Sequence, residues 1–197
     1  MSDVVRKRVG EGRQIYGSTT VRTGRVRRRR YLRHPSPMAR QRTYRLIYLE
    51  HANWKSLPAS DRDLLLAAQA AARKAYAKYS KFKVGAALRT TDGRMTIGSN
   101  QENASYPAGT CAERTALHAC MALSPGAYVD VIAVVVPKAK GKDPIPPCGI
   151  CRQALVEQER RQGGPLRILL GAPEGEVLEI GSAEGLMPLS FDASFLK

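Results

Sequence analysis

The stretch "VIAVVVPKAKGKDPIPPCGICRQAL" (Val131–Leu155) joins a predicted strand to a predicted helix through a loop. Its first six residues, "VIAVVV", are of strand length, and five of them are β-branched. The pattern predicts a helix from about Cys148. A second apolar run, "LRILLG" (Leu166–Gly171), follows this helix and predicts another strand. Strand, helix and strand in succession indicate a sheet covered by helices.

The same alternation continues on both sides of this stretch. The apolar patterns predict a strand at 43–51, a helix at 57–79, two strands within 83–100 around an Asp92–Gly93 turn, a helix from about Thr110, and a strand at 176–180. Ser60 and Asp63 form a predicted capping box at the start of the first helix. The elements predict one α/β sandwich over residues 43–197, and 43% hydrophobic residues suffice for its core.

The net charge of +15 is concentrated in one part of the chain. Residues 1–42 contain 13 of the 32 Lys and Arg residues and two acidic residues, whereas residues 43–197 carry a net charge of only +4. Residues 1–42 also lack an apolar period, so we predict a basic, disordered tail. Such a tail is compatible with binding RNA or anionic surfaces, with organelle targeting, or with no specific function. Met38 is a candidate for an alternative start of the translated chain.

Hydropathy and cysteine content bear on the cellular compartment. No apolar run approaches the roughly 20 residues that cross a bilayer, and the N-terminus has no hydrophobic stretch typical of a secretory signal. Four cysteines in 197 residues do not indicate a disulfide scaffold. We therefore expect a cytoplasmic protein without membrane association.

Three cysteines lie at the starts of two predicted helices. Cys111 lies in "GTCAERTALHAC" (Gly109–Cys120), and Cys148 and Cys151 lie in "PPCGICRQAL" (Pro146–Leu155). A single C-x-x-C is compatible with a redox disulfide or with half of a metal site. A third cysteine favours metal, because three thiolates bind Zn²⁺ and leave one coordination position open, as in catalytic zinc sites.

Glu113 follows the first predicted zinc ligand by two residues. A carboxylate at this position can take a proton from a metal-bound water and return it to a substrate nitrogen. We therefore predict Glu113 as the catalytic acid and base. Cys120 lies about two helical turns later among apolar residues, and we expect it to be a buried small hydrophobe.

Four stretches of residues 79–197 carry a family pattern: "YSKFKVGAAL", "GSNQENASYPAGTCAER", "PPCGICRQAL" and "LMPLSFDASFL". They closely resemble the cytidine deaminase family in its short-chain, three-cysteine form. A glutamate beside the first zinc ligand, followed by P-C-x-x-C, is the signature of zinc nucleobase deaminases. The resemblance implies a three-layer α/β/α sandwich with a mixed sheet of about five strands. It also implies Zn²⁺-dependent deamination of free cytidine or 2′-deoxycytidine in pyrimidine salvage, by a homotetramer with shared active sites.

The resemblance further implies a set of substrate contacts. Asn100 and Glu102 match the pair that hydrogen-bonds the ribose hydroxyls, and Phe82 matches the aromatic residue that packs against the pyrimidine ring. The backbone around Ala112 matches the segment that reads the base edge. Phe191 matches a C-terminal aromatic residue that contributes to a neighbouring subunit's site.

Arg114 and Arg152 each directly follow a residue of the two motifs. Three thiolates give a zinc centre a net negative charge, which makes the metal a poor Lewis acid. Hydrogen bonds from the two guanidinium groups to the sulfurs would offset that charge, and we expect this role for both arginines.

Three other functions fit parts of the pattern. A polynucleotide deaminase would hold RNA with the basic tail, but a glutamate facing the ribose disfavours a substrate extended with phosphates. Blasticidin deaminases share the C-A-E and P-C-G-x-C-R-Q pattern but lack "NQENAS" and "SFD" as found here. A structural zinc domain with an RNA-binding tail would not need the acidic group of Glu113.

Overall fold

The helices and strands follow the predicted alternation. The computed structural model describes residues 4–8, 40–137, 143–172 and 175–196. In chain order its strands and helices are β1 (Val4–Arg8), β2 (Leu46–His51), α1 (Ala59–Arg73), β3 (Gly85–Thr90), β4 (Met95–Ser99), α2 (Ala112–Leu123), β5 (Val129–Val135), α3 (Gly149–Gln162), β6 (Arg167–Gly171) and β7 (Val177–Ile180). Short 3-10 helices follow at Ala183–Leu186 and Ala193–Leu196.

The described strands form one mixed sheet in the order β1-β2-β7-β6-β5-β3-β4. β5 and β6 are parallel because α3 carries the chain back across the sheet between them. The pairs β2–β7, β6–β7, β3–β5 and β3–β4 are antiparallel. The predicted α/β class and mixed sheet are confirmed, with six strands between residues 46 and 180 where about five were expected.

Helices cover both faces of the central strands. Alternate residues of a strand point to opposite faces, so Val131, Ala133 and Val135 of β5 pack in the core that contains α1. Ile132 and Val134 pack in the core that contains α2 and α3. Burial on both faces explains the continuous apolar run of this strand. The resulting order of layers is α1, then the sheet, then α2 with α3.

Two glycines let the helices lie directly on the sheet. A Cβ atom at Gly85 would collide with the backbone of Ala68 in α1. A Cβ atom at Gly98 would likewise collide with the backbone of Ala112 and Ala116 in α2. The close approach at Gly98 holds the first turn of α2 against β4. The residues at the start of α2 therefore lie beside this edge strand of the sheet.

The first helix differs from its prediction at both ends. α1 begins directly after Pro58, so Ser60 lies inside the first turn and the predicted capping box is wrong. The helix ends at Arg73, earlier than predicted. It stops there because Tyr76 turns toward the sheet, where its amide donates a hydrogen bond to the Asn100 carbonyl at 3.1 Å.

A network of ion pairs joins α1 to four strands of the sheet, β2, β3, β6 and β7. The Asp61 carboxylate is 1% exposed and accepts hydrogen bonds from Arg167 at 2.7 Å and from Arg89 at 3.2 Å. Arg167 also pairs with Glu179, which in turn contacts His51. Burial by itself would raise the pKa of Asp61, but the hydrogen bonds and charges of Arg167 and Arg89 together hold this pKa below its usual range.

The predicted disorder of residues 1–42 and the alternative start at Met38 fall mainly outside the described residues. Val4–Arg8 is described, and it forms a strand that the sequence pattern did not predict. Its backbone pairs in parallel with β2, from Val4 opposite Leu46 to Arg8 opposite Glu50. Within the described ranges, no helix combines the length and the apolar character needed to cross a bilayer.

Candidate active site

The three predicted zinc ligands meet where α2 and α3 begin. Cys111 directly precedes α2, Cys148 directly precedes α3, and Cys151 lies in the first turn of α3. Their Sγ atoms all lie within 4.8 Å of one another, and those of Cys111 and Cys148 are 3.8 Å apart. The sheet therefore brings together cysteines that are separated by up to 40 positions of the sequence.

The sulfur positions fit a zinc ion. Zn–S bonds of about 2.3 Å in a tetrahedral site separate the sulfur atoms by about 3.8 Å, which matches the distance between Cys111 and Cys148. Three thiolates satisfy three of the tetrahedral positions and leave the last one for another ligand.

The surroundings of Cys111 favour its thiolate form. A hydrogen bond from Cys151 lowers the pKa of Cys111 to about 5, and the Arg114 guanidinium contributes to this lowering. The same pairing raises the pKa of the Cys151 thiol. The start of α2 adds the positive end of a helix dipole, which stabilises negative charge. The pairing therefore favours negative charge at the Cys111 sulfur, while Cys151 would have to give up its proton to bind a metal ion.

Glu113 lies in the first turn of α2 and is 4% exposed. Burial raises the pKa of its carboxyl group, and the negative charge of Cys111 raises it further. Among the described residues, no hydrogen-bonding group reaches its buried Oε2 atom. A buried carboxylate with a free oxygen and a raised pKa is suited to accept and return a proton.

Glu113 and two of the cysteines open into a cavity of about 320 Å³. This volume lies in the range of about 300–1,000 Å³ that is typical of small-molecule sites. The cavity is lined by Ser80, Phe82, Val84, Asn100, Glu102, Cys111, Glu113, Val134, Val136, Ile145, Pro146 and Cys148. The structure thus brings Phe82, Asn100 and Glu102 to the same cavity as the cysteine cluster. The apolar wall and Ser80 were not identified from the sequence.

Asn100 and Glu102 also hold the segment that precedes β3. The Asn100 side chain accepts a hydrogen bond from the Val84 amide at 2.8 Å and donates one to the Phe82 carbonyl at 2.9 Å. The Glu102 carboxylate accepts hydrogen bonds from the Tyr79 amide at 2.7 Å and from the Ser80 hydroxyl. Both side chains therefore shape the cavity wall, a role that the polar pattern "SNQENAS" did not reveal.

The two arginines occupy different positions. Arg114 approaches Cys111, with 3.9 Å between its Nη2 atom and the sulfur. The hydrogen bonds of Arg152 go to the carbonyl oxygens of Pro147 at 2.8 Å and Leu186 at 3.2 Å, and not to sulfur. Arg152 therefore ties the loop before Cys148 to the C-terminal segment, a connection for which the sequence carried no signal.

Ala112 and Phe191 lie outside the lining of the cavity. Ala112 is fully buried between Cys111 and Glu113 at the start of α2. The Phe191 side chain is 56% exposed and stacks on Phe195, with 5.8 Å between the ring centroids. Within one chain, Phe191 therefore does not complete the cavity.

Comparison with known proteins agrees with this arrangement. Residues 58–162 match the family described as the cytidine and deoxycytidylate deaminase zinc-binding region. A cytidine deaminase of Halalkalibacterium halodurans is 44% identical over 134 residues, which cover 68% of this chain and 96% of that protein. A cytidine deaminase of Sporosarcina psychrophila is 38% identical over 65% of this chain and 88% of its own length. The crystal structure of a cytidine deaminase from Burkholderia pseudomallei superposes with a TM-score of 0.58 at 46% identity, covering 66% of this chain and 97% of that one. The chain therefore belongs to the cytidine deaminase family.

Proposed function

We propose that this chain hydrolyses free cytidine and 2′-deoxycytidine to uridine and 2′-deoxyuridine with release of ammonia. The main observation behind this proposal is that Glu113 is a buried carboxylate with one oxygen free of partners among the described residues. It shares a cavity of small-molecule size with Cys111 and Cys148. The similarity to named cytidine deaminases supports the choice of substrate.

Glu113 performs the proton transfers of this reaction. A zinc ion bound by the three cysteines would lower the pKa of a water molecule to about 7 and make a nucleophile available at neutral pH. Glu113 takes a proton from the attacking water at its free Oε2 atom and delivers it to ring N3. The water oxygen bonds to C4, the bond between C4 and the amino nitrogen breaks, and Glu113 passes the second proton to the departing ammonia.

The other cavity residues bind and orient the nucleoside. Phe82 packs against the pyrimidine ring, and the backbone around Ala112 reads the base edge. Asn100 and Glu102 hydrogen-bond the ribose hydroxyls. The apolar side chains of Val134, Val136 and Ile145 line the cavity beside them and exclude water from the base.

The charge of Glu102 favours a free nucleoside over RNA. The Ser80 hydroxyl, together with the Tyr79 and Ser80 amides, holds the pKa of Glu102 below its usual range, so the carboxylate is charged at neutral pH. A charged carboxylate at the sugar repels the phosphates of a polynucleotide. We place this nucleoside reaction in pyrimidine salvage in the cytoplasm.

The function is tested with the purified full-length protein and a variant that lacks residues 1–37. We expect both to bind one zinc ion per chain and to release ammonia from cytidine and from 2′-deoxycytidine. We expect a strong chelator to abolish turnover and added zinc to restore it, since the cysteines are the metal ligands. Deamination of single-stranded RNA by the full-length protein only, with no turnover of cytidine, would favour the polynucleotide deaminase instead.

We also propose a homotetramer in which Phe191 completes the site of a neighbouring subunit. Phe191 is half-exposed and lies outside the cavity of its own chain. An exposed aromatic side chain of this kind commonly contributes to protein interfaces.

Coexpression of Phe191→Ala with Glu113→Gln tests the shared site. We expect each variant alone to have little activity, and we expect their mixed tetramers to recover part of it. In a mixed tetramer, a subunit with intact Glu113 receives Phe191 from its neighbour. The recovered cytidine turnover and the mass of the assembly are the measurements. A mixture no more active than the sum of the separate variants would show that Phe191 serves no neighbouring site.

A further inference from the structure

The segment between α1 and β3 has a strained backbone at the wall of the cavity. Lys81 has a φ angle of 60°, in the left-handed region that residues other than glycine rarely adopt. Such a conformation persists only where the surroundings hold it. Phe82, the proposed partner of the pyrimidine ring, directly follows Lys81, so the strained residue sets the direction of the aromatic side chain.

Ser80 supplies the bonds on one side of this strained residue. Its hydroxyl accepts a hydrogen bond from the Phe82 amide at 3.0 Å and donates one to the Glu102 carboxylate. The Ser80 amide contacts the same carboxylate at 3.3 Å. One side chain therefore connects the backbone of the aromatic residue with the carboxylate proposed to bind ribose.

The bonds to Glu102 also determine its remaining capacity for a ligand. A carboxylate offers about four lone-pair sites. The Tyr79 amide, the Ser80 amide and the Ser80 hydroxyl take three of them. One site remains for a sugar hydroxyl, and the Ser80 hydroxyl fixes the rotation of the carboxylate that presents it.

We propose that Ser80 is a positioning residue of the nucleoside cavity, whose hydroxyl aligns Glu102 for the sugar and Phe82 for the base. This inference rests on the proposed function, because it assigns a role at the same site. Ser80 lies on the cavity wall but has no part in the proton transfers of Glu113. Its loss should therefore weaken nucleoside binding more than it slows the chemical steps.

Ser80→Ala and Ser80→Thr are the test variants, and cytidine is the substrate. We expect Ser80→Ala to raise KM about tenfold, the factor that follows from losing a hydrogen bond to a charged group. We expect kcat to change less than threefold. Ser80→Thr keeps the hydroxyl, and Ser80 is exposed, so the KM of this variant should remain within about twofold of the parent.

Lys81→Gly separates the positioning role from a general loss of structure. Glycine adopts the left-handed conformation without strain. Adding Lys81→Gly to the Ser80→Ala protein should therefore lower its raised KM part of the way back to the parent value. An unchanged KM in Ser80→Ala, or equal KM values for the Ala and Thr variants, would overturn the proposal. A parent protein that does not turn over cytidine at all would instead contradict the proposed function, and the two failures are thereby distinguished.

Discussion

Glu113→Gln is expected to retain zinc and to lose cytidine turnover by a factor of about 10²–10⁴, the contribution of a positioned general acid and base. Glutamine has nearly the same shape as glutamate, but its amide does not accept and return a proton at neutral pH. Because the Oε2 atom of Glu113 is free of partners among the described residues, the substitution breaks no hydrogen bond of that atom. The fold and the cysteine cluster should therefore survive.

The measurements for this variant are the zinc content, the thermal unfolding temperature and the rate of ammonia release. Glu157→Gln is the matched control, since Glu157 is exposed on α3 and does not line the cavity. We expect it to match the parent protein in all three measurements. Parental turnover in Glu113→Gln would contradict the catalytic role and would favour a structural zinc domain.

Asp61→Asn is expected to lower the free energy of unfolding by about 1.5–3 kcal/mol, the cost of losing hydrogen bonds between charged groups. The loss is limited because Arg167 keeps Glu179, and Arg89 keeps Asp130, as an ion-pair partner. The substitution would leave the guanidinium groups of Arg167 and Arg89 without the negative charge that they contact at 2.7 Å and 3.2 Å. The matched control is Asp63→Asn, because Asp63 lies in the same turn of α1 but is exposed. Urea unfolding at neutral pH measures both variants, and we expect the control to remain near the parent.

The pH dependence of this difference has a definite sign. The pKa of Asp61 is lower in the folded protein than in the unfolded chain, so its contribution to stability is present above the unfolded value of about 3.9. The contribution is lost as the pH falls through the folded value. The unfolding free energies of the parent and Asp61→Asn should therefore converge below about pH 4. A gap that stays constant into acid would show that charge at Asp61 is not its source.

Short-range patterns explain why the order of elements was predictable. The β-branched run of β5 and the alanine-rich face of α1 each carry the period of their own structure. The cysteine motifs carry a similar local signal, because helix starts and metal ligands occupy neighbouring positions of the chain. The helix end at Arg73 was not predictable in this way, since it depends on Tyr76 meeting the carbonyl of Asn100.

The contacts of individual side chains were the least predictable feature. Asp61 and Arg167 are 106 positions apart, and no local pattern indicates that they meet. The position of Arg152 beside Cys151 suggested that it donates a hydrogen bond to sulfur. In the fold it donates instead to the carbonyl oxygens of Pro147 and Leu186.

The amino-acid sequence by itself determined the α/β class, the three cysteines and Glu113, and the family to which they belong, because periodicity and motif spacing are local properties of a chain. The tertiary structure alone decided that Ser80 joins Glu102 to Phe82, that Asp61 is buried between two arginines, and that Phe191 lies outside its own cavity. These features depend on which strands are neighbours in the sheet, and that order arises only when distant segments pack together.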